Sequence, residues 1–231
     1  VFPRPVFTDA DRELQQKKLT QTEWAQPALG VHSQSLANVL HQVGVKPRGV
    51  WPSEGSVCAA MIPKLAESGI RWIATDEEIL SRSLDGRMGR DHRGFVRNCE
   101  LLYRPWRAAH DNFSVDIIFR DHALSDLIGF EYQRLDAVHA AEDFLGKLSG
   151  IGQATAHAGQ TLVSVILDGE NCWEYYPHGG VHFLRALYSR LAKSDHIRTT
   201  RVSDYLEQSP PRETLPKLFS GSWINHNFAI W

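Results

Sequence analysis

The amino-acid sequence predicts an α/β fold, and a (β/α) barrel fits it better than an open doubly wound sheet. Short apolar, strand-like runs alternate along the chain with segments of helical periodicity, a pattern typical of parallel strands joined by helices. The least polar run, residues 161–167, suits a strand covered on both faces, as in parallel sheets. Neither a GxGxxG loop nor a P-loop motif occurs, so dinucleotide-binding and P-loop folds are not expected.

Local signals predict the elements in chain order. The first helix, over 32–44, has apolar residues at helical spacing and ends at Gly44. The helix over 76–84 begins with acidic residues, which the helix dipole favours at that end. Further helices are predicted over 56–69, 135–150 and 180–194. Strands are predicted over 47–51, 70–75, 99–106, 113–120, 161–167, 197–202 and 222–231.

Composition limits the class of protein. The 231 residues suit one barrel-sized domain. No apolar run approaches the roughly 20 residues of a membrane span, so no membrane partner is expected. The net charge of −2, with scattered basic residues, predicts no nucleic-acid partner. Cys58, Cys99 and Cys172 are widely separated, which favours a reducing, cytoplasmic compartment over a disulfide framework.

Histidine patterns predict neither a metal site nor another cofactor. The chain has 11 histidines, but we expect no HExxH, HxH or HxxxH spacing to present a pair of zinc ligands on one face. We therefore expect no metal and no cofactor.

Acidic residues follow four of the predicted strands: Glu54, Asp76, Asp121 and Asp168. In (β/α) barrels the catalytic residues come from loops at the carboxyl ends of strands, so the sequence predicts a cleft lined by carboxylates. Paired carboxylates are the groups that glycosidic cleavage requires: one protonates the leaving oxygen and the other attacks the anomeric carbon or positions water. Retention of configuration requires the two carboxyls about 5–5.5 Å apart.

Each acid also has a structural interpretation. Glu54 precedes a predicted helix, where an acid can simply interact with the helix dipole. Asp168, in an Asp-Gly dipeptide, can form an Asx-turn. Arg120, Asp121 and Asp126 can form a salt-bridge network at a strand end.

Tryptophans lie beside several of these acids. Trp51, Trp173 and Trp223 fall at or next to predicted strand ends, where flat rings can stack on sugar rings. Tryptophan is also often buried in a core, so the aromatic residues alone do not distinguish a sugar site from packing.

Five sequence blocks, in order, carry a resemblance to a known family: "GVWPSEGSV", "LYRPWR", "IIFRDHALSDLIGF", "ILDGENCWEYYPHGG" and "GSWINHNFAIW". Together they resemble glycoside hydrolase family 57, on its amylopullulanase-like branch, over roughly residues 40–231. The resemblance implies a retaining α-glucan-active enzyme on an incomplete seven-stranded (β/α) barrel without a catalytic metal. By position, it implies that Glu54 is the nucleophile and Asp168 the acid/base.

The resemblance also places substrate contacts. Glu170, Trp173 and Trp223 are implied to bind the sugar, and we assign Trp51, Asp121 and Asp126 to the same role. The first two motif blocks of the family are not found before "GVWPSEGSV". We therefore expect residues 1–231 to be one catalytic barrel segment, truncated at both ends and lacking the first strands of the barrel.

The favoured function is a retaining α-glucanase or glucanotransferase, of α-amylase, amylopullulanase or 4-α-glucanotransferase type, acting on α-glucans such as starch or glycogen. The alternative is a non-catalytic glucan-binding segment. A metal-dependent polysaccharide deacetylase is a weaker third choice, because paired histidine ligands are not expected. Linkage preference and oligomeric state are not predicted.

Overall fold

The computed structural model describes residues 44, 46–92, 94–159, 161–168 and 172–228. Residues 32–43 of the first predicted helix and residues 229–231 of the last predicted strand lie outside these ranges, and so does Glu170.

The described chain has a mixed α/β structure. Its strands are β1 Gly49–Val50, β2 Trp72–Asp76, β3 Gly89–Arg90, β4 Val96–Arg97, β5 Trp106–His110 and β6 Phe113–Arg120. Its α-helices are α1 Ile62–Glu67, α2 Glu77–Ser83, α3 His122–Asp126, α4 Ala137–Ala154, α5 Val181–Leu191 and α6 Val202–Gln208.

The chain divides into two compact units. The first takes its described residues from Val1–Arg87, Pro105–Phe119 and Leu206–Trp231, and the second from Met88–Arg104 and Arg120–Tyr205.

A sheet forms the centre of the first unit. Among the described strands its order is β1-β2-β6-β5. β1 and β2 are parallel, with Gly49 opposite Trp72. β5 and β6 are antiparallel, and their register closes at His110 opposite Phe113. Fully buried side chains of this unit include Ile62, Leu65, Ile73, Ile79, Leu80, Trp106 and Ile117.

The expectation of parallel pairing is wrong for β5 and β6. Asp111 adopts a left-handed conformation, with φ 52°, in the two-residue turn between these strands. Such a turn returns the chain directly into an antiparallel hairpin, so no helix intervenes. The small antiparallel pair β3–β4 in the second unit was not predicted.

The strand predicted over 99–106 is also wrong, except at its last residue. Cys99–Leu101 form a 3-10 turn, preceded by Asn98 with φ 52°. Pro105 has no N–H to give to a strand ladder. The strand therefore begins only at Trp106.

Four of the predicted helices and three of the predicted strands are confirmed. Asp76 caps α2 by accepting a hydrogen bond from the backbone N–H of Glu78 at 3.0 Å, and Asp136 caps α4 in the same way. The confirmed helices are those predicted over 56–69, 76–84, 135–150 and 180–194, and the confirmed strands those over 47–51, 70–75 and 113–120.

The core of the second unit lies where α4 packs against α5. The Tyr132 ring lies 6.3 Å from Phe144 and 5.8 Å from Phe183. The Tyr132 hydroxyl donates to Asp143 at 2.6 Å, and burial, with this hydrogen bond, raises the pKa of Tyr132. This aromatic cluster joins the two helices.

The strand predicted over 161–167 is half-buried, and within the second unit it forms a single isolated bridge, between Ser164 and Arg120. Side chains replace the missing ladder: the Arg120 Nε donates to the carbonyl of Ile166 at 2.9 Å, and the N–H of Ile166 donates to Ser125 Oγ at 3.2 Å. The apolar run suggested a covered strand, but its backbone groups are satisfied mainly outside a sheet.

The strands predicted over 197–202 and 222–231 are not found among the described residues. Val202 begins α6 instead, and Arg201 pairs with Asp204 at 2.8 Å across its first turn. Residues 223–228 form bends and turns, and Asn225 and His226 both have positive φ, 52° and 54°, which a strand excludes.

The described strands thus show a mixed sheet, whereas the seven-stranded barrel stays a prediction. No helix within the described ranges is long and apolar enough to cross a bilayer.

Replacing Phe144 by alanine should lower the free energy of unfolding by about 3–5 kcal/mol, because the ring is 3% exposed and its removal leaves a cavity between α4 and α5. Val138→Ala on the same helix is the control, because Val138 is 43% exposed, and it should cost less than about 0.5 kcal/mol. Equal losses in urea denaturation would contradict this assignment of the core.

Candidate active site

Glu54 lies in a strained turn directly after β1. Residues Ser53–Gly55 form a single 3-10 turn in which Glu54 has φ 55° and ψ 27°. A left-handed conformation is uncommon for glutamate and persists only where surrounding contacts fix it.

Gly55 and its neighbours provide the first of these contacts. Gly55 has φ 59°, and a Cβ there would lie 2.8 Å from the Trp51 ring, so a larger residue does not fit. Its carbonyl accepts a hydrogen bond from the buried Thr75 Oγ1 at 2.6 Å. The turn is thereby tied to β2.

Trp223 provides the second set of contacts. Its indole Nε1–H donates to Glu54 Oε2 at 2.5 Å, and its backbone N–H donates to the Glu54 carbonyl at 3.1 Å. The rings of Trp223 and Trp51 meet edge to face, with centroids 5.1 Å apart. A paired antiparallel bridge between Val57 and Gly221 positions the segment that carries Trp223. Glu54 is therefore oriented at both its backbone and its carboxylate.

The structure does not support the helix-dipole interpretation of Glu54. The first α-helix after it begins only at Ile62, and Glu54 itself has non-helical backbone angles. The polar contact that the structure gives its carboxylate is with an indole.

Asp121 is a buried acid bound by three donors in the second unit. Arg90 Nη2 and the Tyr103 hydroxyl each donate to it at 2.7 Å, and the backbone N–H of Leu124 donates at 2.9 Å, which caps α3. Arg90 also donates to the Gly94 carbonyl at 2.9 Å. Asp121 therefore joins the β3–β4 hairpin to α3, as a structural salt bridge does.

Asp126 has a different partner and a different exposure. Arg120 Nη2 donates to Asp126 at 2.5 Å, and 47% of the Asp126 side chain remains exposed, against 2% for Asp121. The predicted Arg–Asp network therefore exists, but each acid is held by a separate arginine. Asp126 is the member of this network that solvent or a sugar hydroxyl can reach.

Asp168 is half-buried at the end of the extended segment 161–168. Burial raises the pKa of the nearby Cys172 thiol, and the charge of Asp168 raises it further. A carboxylate thus lies within electrostatic range of the start of the next turn, Cys172–Tyr175.

Trp173 packs inside the second unit. Gly180 has φ 76°, and a Cβ there would lie 2.6 Å from the Trp173 ring; the Tyr176 ring lies 5.3 Å away. Trp173 also lines an open cavity of about 1120 Å³, together with residues of α4, α5 and segment 161–167. Its ring is half-buried, so it combines a packing role with an accessible face.

The predicted site residues thus fall into two groups. In the first unit, Trp223 contacts both Glu54 and Trp51, and the Trp51 ring lies against Gly55, next to Glu54. Asp121, Asp126, Asp168 and Trp173 belong to the second unit, and Glu170 lies outside the described residues. The assigned roles of all these residues stay predictions.

Some partners were missed by sequence reasoning. Tyr103 lies in the block "LYRPWR", which supported the family resemblance but gave Tyr103 no role. No sequence pattern predicted a role for Arg90. The expectation that no HxxxH spacing pairs two histidines is wrong: His178 and His182 have this spacing, and their ring centroids lie 5.2 Å apart. Within the part of the chain that the structure describes, no group of three or more histidine, cysteine or acidic side chains is arranged to hold a metal.

Solved structures of three enzymes share the fold. The 4-alpha-glucanotransferase from Thermococcus litoralis has a TM-score of 0.62 and 18% identity, over 83% of this chain and 27% of that one. The alpha-amylase from Thermotoga maritima has a TM-score of 0.63 and 15% identity, over 90% and 49%. A GH57 branching enzyme from Thermococcus kodakaraensis has a TM-score of 0.65 and 14% identity, over 87% and 47%. The chain therefore spans less than half the length of these proteins.

No curated protein matches the chain significantly. The sequence profile of glycosyl hydrolase family 57 matches residues 31–217, which is most of the chain. The chain therefore belongs to glycosyl hydrolase family 57.

Proposed function

We propose that the chain is the catalytic segment of a retaining α-glucan-active hydrolase or glucanotransferase. Family membership supports this proposal, as do structural relatives described as a glucanotransferase, an amylase and a branching enzyme. Its strands would belong to an incomplete seven-stranded (β/α) barrel. The three cysteines are free, which fits a cytoplasmic location.

The observation that carries the proposal is the support of Glu54. A left-handed conformation of glutamate costs about 1–3 kcal/mol of free energy. Gly55, Thr75 and Trp223 are arranged so that Glu54 adopts this conformation. An acid held in one orientation at a strand end is what a nucleophile requires. A binding-only role gives no reason to fix a single carboxylate in this way.

The proposed reaction has two displacements. Glu54 attacks the anomeric carbon and forms a covalent glycosyl-enzyme, while Asp168 gives its proton to the departing glycosidic oxygen. Asp168 then takes a proton from an incoming water or sugar hydroxyl, whose oxygen attacks the same carbon and releases Glu54. Each displacement inverts the centre, so the product keeps the α configuration.

The remaining assigned residues would bind the glucan. Trp51, Trp173 and Trp223 provide flat apolar faces for sugar rings. Asp126, with its exposed carboxylate, suits a hydroxyl contact better than Asp121, whose oxygens already accept three hydrogen bonds. Glu170 keeps the substrate-binding role that the family resemblance implies.

Alanine variants of the two acids should give azide products of opposite configuration. With α-maltosyl fluoride, Asp168→Ala still forms the glycosyl-enzyme, because fluoride leaves without a proton, and azide then displaces Glu54 to give the α-azide. In Glu54→Ala, azide displaces fluoride directly and gives the β-azide. On amylose, kcat should fall at least about 10³-fold for Glu54→Ala and about 10²–10⁴-fold for Asp168→Ala.

The control is Glu67→Ala, an acid on α1 that pairs with Lys64 at 3.1 Å; it should retain wild-type turnover. NMR of the azide products decides the result. If both variants gave the same azide anomer, or neither responded to azide, the two roles would have to be withdrawn.

Asp168→Asn should increase the reactivity of Cys172. Removing the negative charge lowers the pKa of this thiol, so more thiolate is present at a given alkaline pH and alkylation is faster. Mass spectrometry of iodoacetamide labelling against pH measures the change, with Cys58 and Cys99 as internal references. A Cys172 profile that did not move relative to these references would contradict the placement of Asp168.

A further inference from the structure

Asp76 and His226 face each other in the first unit. Asp76 is the last residue of β2 and is 1% exposed. Its Oδ1 accepts the capping hydrogen bond from Glu78 and lies 3.9 Å from Nδ1 of His226. Nothing in the reaction proposed above uses this pair.

The His226 imidazole faces Asp76 from beyond hydrogen-bond distance. Its Nδ1 is buried and has no hydrogen-bond partner among the described residues, although 36% of the side chain is exposed. Buried polar atoms are nearly always paired, and an exception requires an explanation. Hydrogen bonds at catalytic sites are often long without substrate and shorten when it binds.

His226 belongs to the loop that carries Trp223. This loop, residues 221–228, has two consecutive left-handed residues, Asn225 and His226. Ser222 is fully buried and accepts a hydrogen bond from the N–H of Ile224 at 3.1 Å. Two adjacent left-handed residues are strained and persist only where surrounding contacts hold them. Contacts at residues 225 and 226 therefore also hold the loop that carries Trp223.

The pair connects two supports of the Glu54 turn. On the β2 side, Thr75, next to Asp76, donates to the carbonyl of Gly55. On the loop side, Trp223 donates to the Glu54 carboxylate. A contact between Asp76 and His226 therefore bridges the strand and the loop that hold the same turn.

We propose that His226 and Asp76 are positioning residues for Glu54. The Nδ1–H of His226 donates to Asp76 when substrate is bound, which fixes loop 221–228 against β2 and keeps the Trp223 indole on the Glu54 carboxylate. This inference rests on the proposed function, because it assumes that Glu54 is the nucleophile.

Asparagine substitutions test the pair with little change to the backbone. His226→Asn removes the imidazole, and asparagine tolerates a left-handed conformation. Asp76→Asn removes the charge, and asparagine is still a good helix N-cap. Each should lower kcat on maltooligosaccharides about 10- to 100-fold, since small misplacements of reacting groups have effects of this size, while KM changes less than about threefold. The double variant should lose no more than either single variant, because the residues act as a pair.

Two substitutions of the same kind serve as controls. His178→Asn replaces a histidine of the second unit with the same φ of 54°, and Asp136→Asn replaces the helix cap of α4. Both should leave kcat and KM unchanged.

An NMR signal separates this inference from the proposed function. The indole N–H resonance of Trp223, assigned by its loss in Trp223→Phe, should shift in His226→Asn and in Asp76→Asn towards its position in Glu54→Gln. If the resonance shifts but the full-length wild-type protein turns over no glucan, the proposed function fails and the structural pair stands. Three results would overturn the inference: a Trp223 resonance that does not shift, a change in KM with kcat unchanged, or decreases in kcat that multiply in the double variant. Should Asp76→Asn not fold, His226→Asn decides by the same signal.

Discussion

The left-handed turn at Glu54 is the constraint on which the candidate site depends. A glutamate with φ 55° stays in place only if neighbouring groups compensate its strain. Gly55 makes room for the Trp51 ring, Thr75 holds the carbonyl of the turn, and Trp223 binds the carboxylate. β1, β2 and loop 221–228 are therefore arranged around one acid, which explains why two short strands and an irregular loop suffice to orient it.

The second unit positions its acids by a different means. Asp121 accepts hydrogen bonds from Arg90, Tyr103 and the first turn of α3, so its charge connects elements of the unit. Asp126, on the same short helix, keeps an exposed carboxylate. Two acids of one sequence block, five positions apart, thus differ in role: one connects elements inside the unit and the other lies at the surface. Burial and the number of donors around each carboxylate set this difference.

Local sequence signals predicted the elements that caps and apolar patterns within the element itself determine, such as the capped helix α2 and the strand β6. They failed where distant side chains decide: segment 161–167 is apolar, but Arg120 and Ser125 satisfy part of its backbone in place of a ladder. The importance of Glu54 was predictable from its block, whereas its indole partner lies 169 residues away along the chain. Contacts of that separation leave no periodic pattern in the sequence.

Trapping the covalent intermediate identifies the nucleophile directly. A 5-fluoro α-maltosyl fluoride slows both displacements by destabilising their positively charged transition states, but its good leaving group lets the first proceed, so the glycosyl-enzyme accumulates. Peptide mass spectrometry of the full-length protein should then find the sugar esterified to Glu54. A label on Asp168 or on any other residue would show that Glu54 is not the nucleophile.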